Sequence, residues 1–137
     1  MGYKFEQLEV WQIAMDYIDT IYSLAERLPR SEEYNLKSQI IRAATSIALN
    51  IAEGSQGQSD AEQARFLGLS IRSLIETVAC LHLIRRRKYL EDETPLNEIY
   101  LKSQTLARKL QSFRKSLSTS PHQIREESSD YVVDLET

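Results

Sequence analysis

The sequence predicts an all-α protein, namely an antiparallel, up-down-up-down four-helix bundle with a C-terminal tail. Apolar side chains recur at alternating steps of three and four residues along four successive segments, which is the spacing of amphipathic helices. Only three prolines and four glycines occur in 137 residues, and the connections between the segments are short, which favours antiparallel neighbours. The bundle is therefore predicted to occupy residues 1–117, and residues 118–137 are expected to form an acidic, flexible tail. The alternative for this tail, with its apolar cluster from Tyr131 to Leu135, is a docking peptide or an intramolecular cover over basic groups.

The first helix is predicted from about Phe5 to Leu28, where Pro29 ends it, and it carries two apolar stripes. One stripe contains Leu8, Trp11, Met15, Ile18, Tyr22 and Ala25, and the other contains Val10, Ile13, Tyr17, Ile21, Leu24 and Leu28. A helix in a monomeric bundle needs an apolar stripe of only about 100° or somewhat more. The surplus apolar surface predicts a contact with another subunit. The interface candidates on this helix are Val10, Trp11, Ile13, Tyr17, Ile21 and Leu24.

The second helix is predicted to begin after a cap at Asn35 and to end near Glu53, with Gly54 as its C-terminal stop. Its core stripe contains Leu36, Ile40, Ala44, Ile47 and Ile51, and its polar stripe contains Gln39, Arg42, Ser46, Asn50 and Glu53. Two interpretations of the polar stripe stay open: a solvated face with local hydrogen bonds, or a hydrogen-bonded interface with another helix or subunit. The second interpretation adds Arg42, Ser46, Asn50 and Glu53 to the interface candidates.

The third helix is predicted to begin after Ser59, which forms a capping-box sequence with Glu62. The fourth is predicted to begin with Thr94 as its cap and Pro95 at the first helical position. The core stripe of the third helix contains Leu67, Ile71, Leu74, Val78 and Leu81, and that of the fourth contains Leu96, Ile99, Ser103, Leu106, Leu110, Phe113 and Leu117.

The net charge of −3 hides a division along the chain, because residues 36–117 carry a net charge of +5 while both flanking segments carry −4. Candidate nucleic-acid-binding residues are Arg85, Arg86, Arg87, Lys88 and Tyr89 at the end of the third helix, and Arg108, Lys109, Arg114 and Lys115 near the end of the fourth. Cations at helix C-termini also stabilise the helix dipole, so phosphate contact and a purely structural role both stay open. Antiparallel helices place the two groups at opposite poles, so a continuous basic surface is expected to require oligomerisation.

Enzymatic and metal chemistry find no support in the sequence, which predicts no catalytic residue, metal or other cofactor and no small-molecule substrate. Neither His82 nor His122 follows a Glu at the three-residue spacing of di-metal bundle sites. Cys80 and His82 are two residues apart, so on a helix they point to different faces. Cys80 is the only cysteine, which excludes an internal disulfide and favours a reducing, cytoplasmic location. No run of ~18 consecutive apolar residues suggests a membrane span.

Several short motifs resemble a family of bacterial four-helix-bundle proteins that are encoded in intervening sequences of large-subunit ribosomal RNA genes. The motifs are the run from Phe5 to Gln12, the run from Ser38 to Ile47, the run from Asn50 to Gly54, the pair Phe66-Leu67 and the run from Ser73 to Glu76. The resemblance covers about residues 3–117. It implies a bundle assembled as a ring-like pentamer, and it extends distantly to the basic accessory proteins of diversity-generating retroelements, which bind a reverse transcriptase and nucleic acid.

The leading functional hypothesis from the sequence is therefore a non-enzymatic, oligomeric adaptor or scaffold associated with RNA or a ribonucleoprotein. The alternative is a nucleic-acid-binding accessory subunit of a reverse transcriptase. The acidic ends of the chain and its isoelectric point near 5.5 depart from the basic character of the retroelement proteins.

Overall fold

The computed structural model describes residues 2–57 and 59–118, which form four packed helices. They are α1 (Glu9–Ala25), α2 (Leu36–Ser55), α3 (Asp60–Arg87) and α4 (Thr94–Ser116), with short 3-10 turns at Lys4–Gln7 and Arg30–Glu32. Each helix packs on its neighbour in sequence, and α4 closes the bundle by packing on α1. The described ranges contain no strand, so the predicted all-α four-helix bundle is confirmed. The predicted tail falls almost wholly on residues 119–137, outside the described residues.

Contacts between helix ends show that neighbouring helices run antiparallel. Lys109, near the end of α4, places its Nζ 3.3 Å from the carboxylate of Glu9 at the start of α1. Arg114, also near the end of α4, donates from Nε to the carbonyl oxygen of Ala64, near the start of α3, at 3.2 Å. The C-terminus of α4 therefore shares one pole of the bundle with the N-termini of α1 and α3.

Three helix boundaries differ from those predicted, and one of them is the end of α1 at Ala25, three residues before the predicted Leu28. The helix predicted to start near Phe5 begins at Glu9, because Leu8 has an extended backbone that separates α1 from the preceding 3-10 turn. Gly54 does not stop α2, which continues through it to Ser55. The reason is packing: α3 approaches α2 at Gly54, and the Ser55 hydroxyl donates to the carbonyl oxygen of Ala52 at 2.8 Å.

The helix caps are partly those predicted. The Ser59 hydroxyl accepts the backbone N–H of Glu62 at 3.1 Å, as the capping-box sequence predicts, but the Glu62 carboxylate pairs with Arg65 instead of reaching back. Asn35 occupies the cap position of α2 without a side-chain cap bond. Its amide donates to the carboxylate of Glu32, which also accepts the backbone N–H of Leu36 at 3.2 Å.

The start of α4 is also capped by a carboxylate. Asp92 accepts both the backbone N–H of Thr94, at 3.0 Å, and its hydroxyl, at 2.7 Å, so Thr94 is the first helical residue and not the cap. The backbone hydrogen bond from Thr94, followed by the hydroxyl bond, lowers the pKa of Asp92. A charged carboxylate is favourable here because the helix N-terminus carries a partial positive charge.

The core is formed by one buried stripe from each helix. Its largest fully buried side chains are Tyr17, Ile21, Leu24, Ile40, Ile47, Ile51, Leu67, Ile71, Leu74, Ile84, Leu96 and Leu106. Tyr17 is the one polar member of this set, and it reaches across the core to α3, where its hydroxyl lies 2.8 Å from Oγ1 of Thr77. Thr77 donates its own hydrogen to the carbonyl oxygen of Leu74 at 2.6 Å, so Tyr17 is the donor in the contact between them.

The α2–α3 pair is the most closely packed pair of helices, because α2 presents small residues. Ala43, Ala44 and Ala48 are buried along it, and the hydroxyl of Ser70 on α3 donates directly to the backbone carbonyl of Ile47 on α2 at 2.8 Å. A Cβ added at Gly54 would lie 2.8 Å from the Cβ of Phe66, closer than real Cβ atoms approach. This end of the pair therefore requires glycine.

We predict that Gly54→Ala destabilises the protein although alanine is the better helix former. Overpacking against Phe66 costs about 1–3 kcal/mol, which exceeds the gain in helix propensity of ~1 kcal/mol. Gly68→Ala is the matched control, because the nearest atoms to its added Cβ belong to the flexible guanidinium of Arg114, from 3.4 Å outward. Urea unfolding at one protein concentration compares them. Equal stability of the two variants would contradict the close helix approach at Gly54.

The Tyr17 hydroxyl also predicts how stability changes at alkaline pH. Burial raises the pKa of Tyr17 to about 12, against an ordinary value of 10.0, and only the hydrogen bond to Thr77 opposes this rise. Because the folded state holds the proton more tightly, this contribution is intact below pH 10 and is lost as the pH rises towards 12. Its full loss amounts to about 3 kcal/mol.

We therefore expect Tyr17→Phe to be about 1 kcal/mol less stable than the natural chain near pH 8, where it lacks one buried hydrogen bond. Above pH 10 this difference should shrink and then reverse, because phenylalanine cannot ionise. Urea unfolding from pH 8 to pH 12 measures the difference, and Tyr34→Phe, at an almost fully exposed tyrosine, is the control. A difference that does not change with pH would contradict the burial of the hydroxyl.

Candidate functional site

The structure divides the interface candidates of α1 into two groups. Val10, Tyr17, Ile21 and Leu24 are buried in the core of their own bundle. These four side chains therefore cannot form the surplus apolar surface that was predicted to meet another subunit. The surplus lies on the other stripe, of which only Trp11 was named as a candidate.

An exposed apolar surface lies along the flank of α1 that faces α2. The opposite flank, with Thr20, Ser23 and Arg27, lines the groove between α1 and α4. On the α2 flank Met15 is 42% exposed and Tyr22 is 46% exposed. The half-buried side chains of Trp11 and Ile18 lie along the same flank, whereas Ile13, seven residues before Thr20, lies on the flank that faces α4.

The outer surface of α2 continues this apolar surface. A shallow groove there is lined by Glu33, Tyr34, Lys37, Ser38, Ile41, Arg42, Thr45, Ser46 and Leu49. Ile41 is half-buried and Leu49 is 61% exposed. We call the set Trp11, Met15, Ile18, Tyr22, Ile41 and Leu49 the α1–α2 apolar face.

The polar stripe of α2 bonds within the chain. The amide of Gln39 donates to the carboxylate of Glu76 on α3 at 2.5 Å, and the hydroxyl of Ser73 on α3 donates to Ser46 at 2.9 Å. Asn50 donates to the backbone carbonyl of Ser46 at 2.9 Å. Ser46 and Asn50 thus belong to the seam between α2 and α3.

The two charged interface candidates on α2 lie beside that seam. The Arg42 side chain is exposed, with a local bond from Nη2 to the hydroxyl of Ser38 at 3.0 Å, and Glu53 is exposed. Of the four candidates on this helix, Arg42 and Glu53 are therefore the ones that present their charges to solvent.

The predicted basic group at the end of α3 is partly neutralised by nearby acidic residues. Arg85 forms an ion pair with Glu93 at 3.0 Å and also donates to Asn97 at 2.7 Å. The Tyr89 hydroxyl donates to Glu32 at 2.5 Å, and this bond is the main reason why the pKa of Tyr89 is raised. Tyr89 was predicted to be available for nucleic-acid binding, but its hydroxyl is thus bonded to the residue that caps the start of α2. The remaining members, Arg86, Arg87 and Lys88, are exposed.

The predicted basic group near the end of α4 is divided in the same way. Lys109 pairs with Glu9, and Arg114 bonds to the backbone of α3 beside Gly68. Arg108 is exposed and Lys115 is half-buried. The two predicted groups lie at opposite poles, since one contacts the start of α4 and the other lies at its end.

A basic surface between the poles was missed by the sequence reasoning. Arg65, Arg72 and Arg86 follow one another at multiples of seven residues on α3, and seven residues are almost two full turns, so they share one face. On α4, Leu101, Arg108 and Lys115 repeat at the same interval. The seven-residue spacing was the signal that could have revealed this surface.

These two rows lie side by side on the outside of the bundle. The flank of α3 that faces α4 contains Ala64, Gly68, His82 and Arg85, which contact Arg114, Tyr100 and Asn97. The row of Arg72 and Arg86 lies next to this flank on the outer side, and the row of Arg108 lies next to the matching flank of α4. We call Arg72, Arg86, Arg108 and Lys115 the α3–α4 basic face. All four residues belong to one subunit, and Arg72 and Arg86 are about 21 Å apart along α3. The expectation that a continuous basic surface requires oligomerisation stays a prediction.

The single cysteine and the histidine beside it are separated in space. Cys80 is buried, and burial raises the pKa of its thiol to about 11. The His82 ring is exposed and meets the ring of Tyr100 on α4 edge-on, with centroids 6.1 Å apart. Within residues 2–57 and 59–118, no three His, Cys, Asp or Glu side chains gather in a group that could hold a metal ion.

One helix has the length and composition of a membrane span. An 18-residue window of α3 reaches a mean hydropathy of 1.5, and half of that window is buried inside the bundle. Ile71, Leu74 and Leu81 account for part of this hydropathy and lie in the core. The apolar composition of α3 is therefore explained by its packing against the other helices.

Comparisons with known proteins agree with this architecture. A crystal structure from Bacteroides thetaiotaomicron VPI-5482, described as a protein with unknown function from the S23 ribosomal protein family, superposes with a TM-score of 0.70 at 29% sequence identity. The alignment covers 77% of this chain and 98% of that one. The search of curated proteins gives no match. The family model of the 23S rRNA-intervening sequence protein matches residues 6–112. This chain therefore belongs to the 23S rRNA-intervening sequence protein family.

Proposed function

We propose that the protein is a non-enzymatic, cytoplasmic scaffold that assembles with further copies of itself through the α1–α2 apolar face. The observation that carries this proposal is the exposure of Met15, Tyr22 and Leu49 on adjacent helices, next to the half-buried Trp11 and Ile18. Contiguous apolar surface on a folded protein marks an interaction site more often than an isolated exposed residue does. Tryptophan, tyrosine and methionine are also enriched at protein interfaces.

A second copy is the partner that suits this surface. Met15, Tyr22 and Leu49 lie outside the core of the single bundle, so only a partner can bury them. The resemblance to the ring-forming members of the family implies five subunits. In a heterologous contact, two different surfaces of neighbouring subunits meet. Such contacts close into a ring when the rotation from one subunit to the next is a whole fraction of a full turn.

Assembly would allow the scaffold to act as an adaptor, because it would join several binding sites in one particle. Every subunit would present its own α3–α4 basic face, and several weak sites on one particle bind a long partner far more tightly than a single site does. RNA or a ribonucleoprotein suits these faces, because arginine binds phosphate through paired hydrogen bonds. The same observation supports the second candidate function, a nucleic-acid-binding accessory subunit of a reverse transcriptase.

We predict that the full-length protein sediments at micromolar concentration as a multiple of 15.8 kDa. Met15→Glu combined with Tyr22→Glu should shift it to the monomer, because each charge would be buried without a partner in the interface. Leu83→Glu combined with Leu101→Glu, at two exposed leucines of α3 and α4, adds the same charge as the matched control and should leave the assembly intact. Circular dichroism checks that the helices persist. A monomeric natural chain, or an assembly broken by the control alone, would sink the proposed interface.

We also predict weak binding of a single-stranded RNA oligonucleotide, with an affinity that falls as salt rises. Arg72→Glu with Arg108→Glu should reduce the slope of log affinity against log salt by about 2, roughly one per lost phosphate contact. Arg27→Glu with Lys102→Glu makes the same change of charge in the groove between α1 and α4 and should alter the slope less. Fluorescence anisotropy at several salt concentrations measures both. Equal slopes for the two double variants would remove the α3–α4 basic face from the proposal.

A further inference from the structure

The α3–α4 basic face has no acidic residue within its two rows. The acidic side chains of α3 and α4 are engaged elsewhere: Glu62 pairs with Arg65, Glu93 with Arg85, and Glu76 with Gln39 of α2. Glu98 lies in the groove between α1 and α4. Among the described residues, Arg72 and Arg86 form no ion pair. Glu76 borders the face, since it lies four residues after Arg72, and its bond to the Gln39 amide leaves its charge in place. The four cations of the face exceed this one negative charge.

Apolar side chains lie between the cations. Ile75 is 39% exposed, Leu83 is 51% exposed and Leu101 is 63% exposed. Leu83 lies three residues before Arg86, about one turn away, and Leu101 lies seven residues before Arg108, about two turns away, so apolar side chains lie among the cations. A phosphate backbone can pair with the cations, but it makes no favourable contact with the exposed leucine and isoleucine side chains. An acidic peptide that also carries large apolar side chains can match both features at once.

The chain itself contains such a peptide. Residues 119–137 carry one basic and five acidic side chains, a net charge of −4. The acidic residues surround the apolar cluster Tyr131, Val132, Val133 and Leu135. Its composition therefore complements the face in charge and in hydrophobicity.

The starting point of this segment makes the contact reachable. It follows Ser118, three residues after Lys115, which lies at one end of the face. The thirteen residues from Ser118 to Tyr131 can span at most about 43 Å. The distance along α3 from Arg65 to Arg86 is about 31 Å, at 1.5 Å for each of 21 residues. The apolar cluster can therefore reach Leu83 and Leu101 without strain.

We propose that residues 119–137 bind across the α3–α4 basic face of their own subunit. The acidic side chains pair with Arg72, Arg86 and Arg108, and the apolar cluster covers Leu83 and Leu101. A covalently attached segment has an effective concentration in the millimolar range, so even a weak contact is substantially occupied. Bound in this way, the segment competes with any external polyanion for the same cations. The inference does not depend on RNA binding, since it follows from the charges of one chain.

Paramagnetic relaxation in the full-length protein tests the proposal. A nitroxide attached through Ser129→Cys labels the segment, and Cys80 stays unlabelled because it is buried. We expect broadening of the backbone amide signals of Ala79, Leu83 and Leu101 and none at Asp16 or Leu49. In 1 M salt, where the Debye length is ~3 Å, the broadening should be strongly reduced. Broadening that is absent, or spread evenly over all four helices, would overturn the proposal.

Two further samples separate the alternatives. Arg72→Glu with Arg108→Glu should abolish the broadening, whereas Arg27→Glu with Lys102→Glu, the same change of charge in the groove between α1 and α4, should preserve it. A mixture of isotope-labelled chains without nitroxide and unlabelled chains with nitroxide reports contact between subunits. In the comparison sample, a chain that carries both the isotope label and the nitroxide is diluted with unlabelled natural protein. Strong broadening in the mixture together with weak broadening in this diluted sample would show binding to a neighbouring copy, and would overturn the assignment to the same subunit.

Discussion

The close approach of α2 to α3 is the constraint on which the rest of the structure depends. It requires a helix built from small residues, a glycine opposite Phe66, and a serine hydroxyl that bonds to the backbone of the neighbouring helix. Such packing fixes the relative position of the two helices more tightly than interdigitated long side chains would. The remaining helices then complete the core against this pair, and the contact from Tyr17 to Thr77 ties α1 to it across the interior.

This arrangement also determines which surfaces are left for function. The core takes one stripe from each helix, and on the second stripe of α1 Met15 and Tyr22 stay exposed while Trp11 and Ile18 pack half-buried against the core. On the opposite side, Glu76 and Glu93 bond to neighbouring helices, and Arg72, Arg86 and Arg108 stay on the outer surface. A chain with a net charge of −3 thus displays an apolar face and a basic face on different sides of the bundle.

The fold was predictable from the sequence because helical periodicity and short connections leave few alternatives. The helix ends were less predictable. Glycine is common at helix C-termini, so Gly54 was predicted to end α2, and only the tertiary contact with Phe66 explains why the helix continues through it. The division of the two α1 stripes into core and surface depends on the rotation of the helix, which periodicity alone does not give. The basic candidates were chosen as clusters in sequence, whereas the structure groups Arg72, Arg86 and Arg108 by their seven-residue spacing.

The central claim is that further copies of the chain cover the α1–α2 apolar face in the working protein, while the side formed by α3 and α4 takes no part in that assembly. Hydroxyl-radical footprinting with mass spectrometry tests it most directly, on the full-length chain at concentrations above and below assembly. The account predicts that Trp11, Met15 and Tyr22 lose reactivity at high concentration, whereas His82, which is exposed beside α4, keeps its reactivity. Unchanged reactivity of the three α1 residues, with protection at His82, would contradict it.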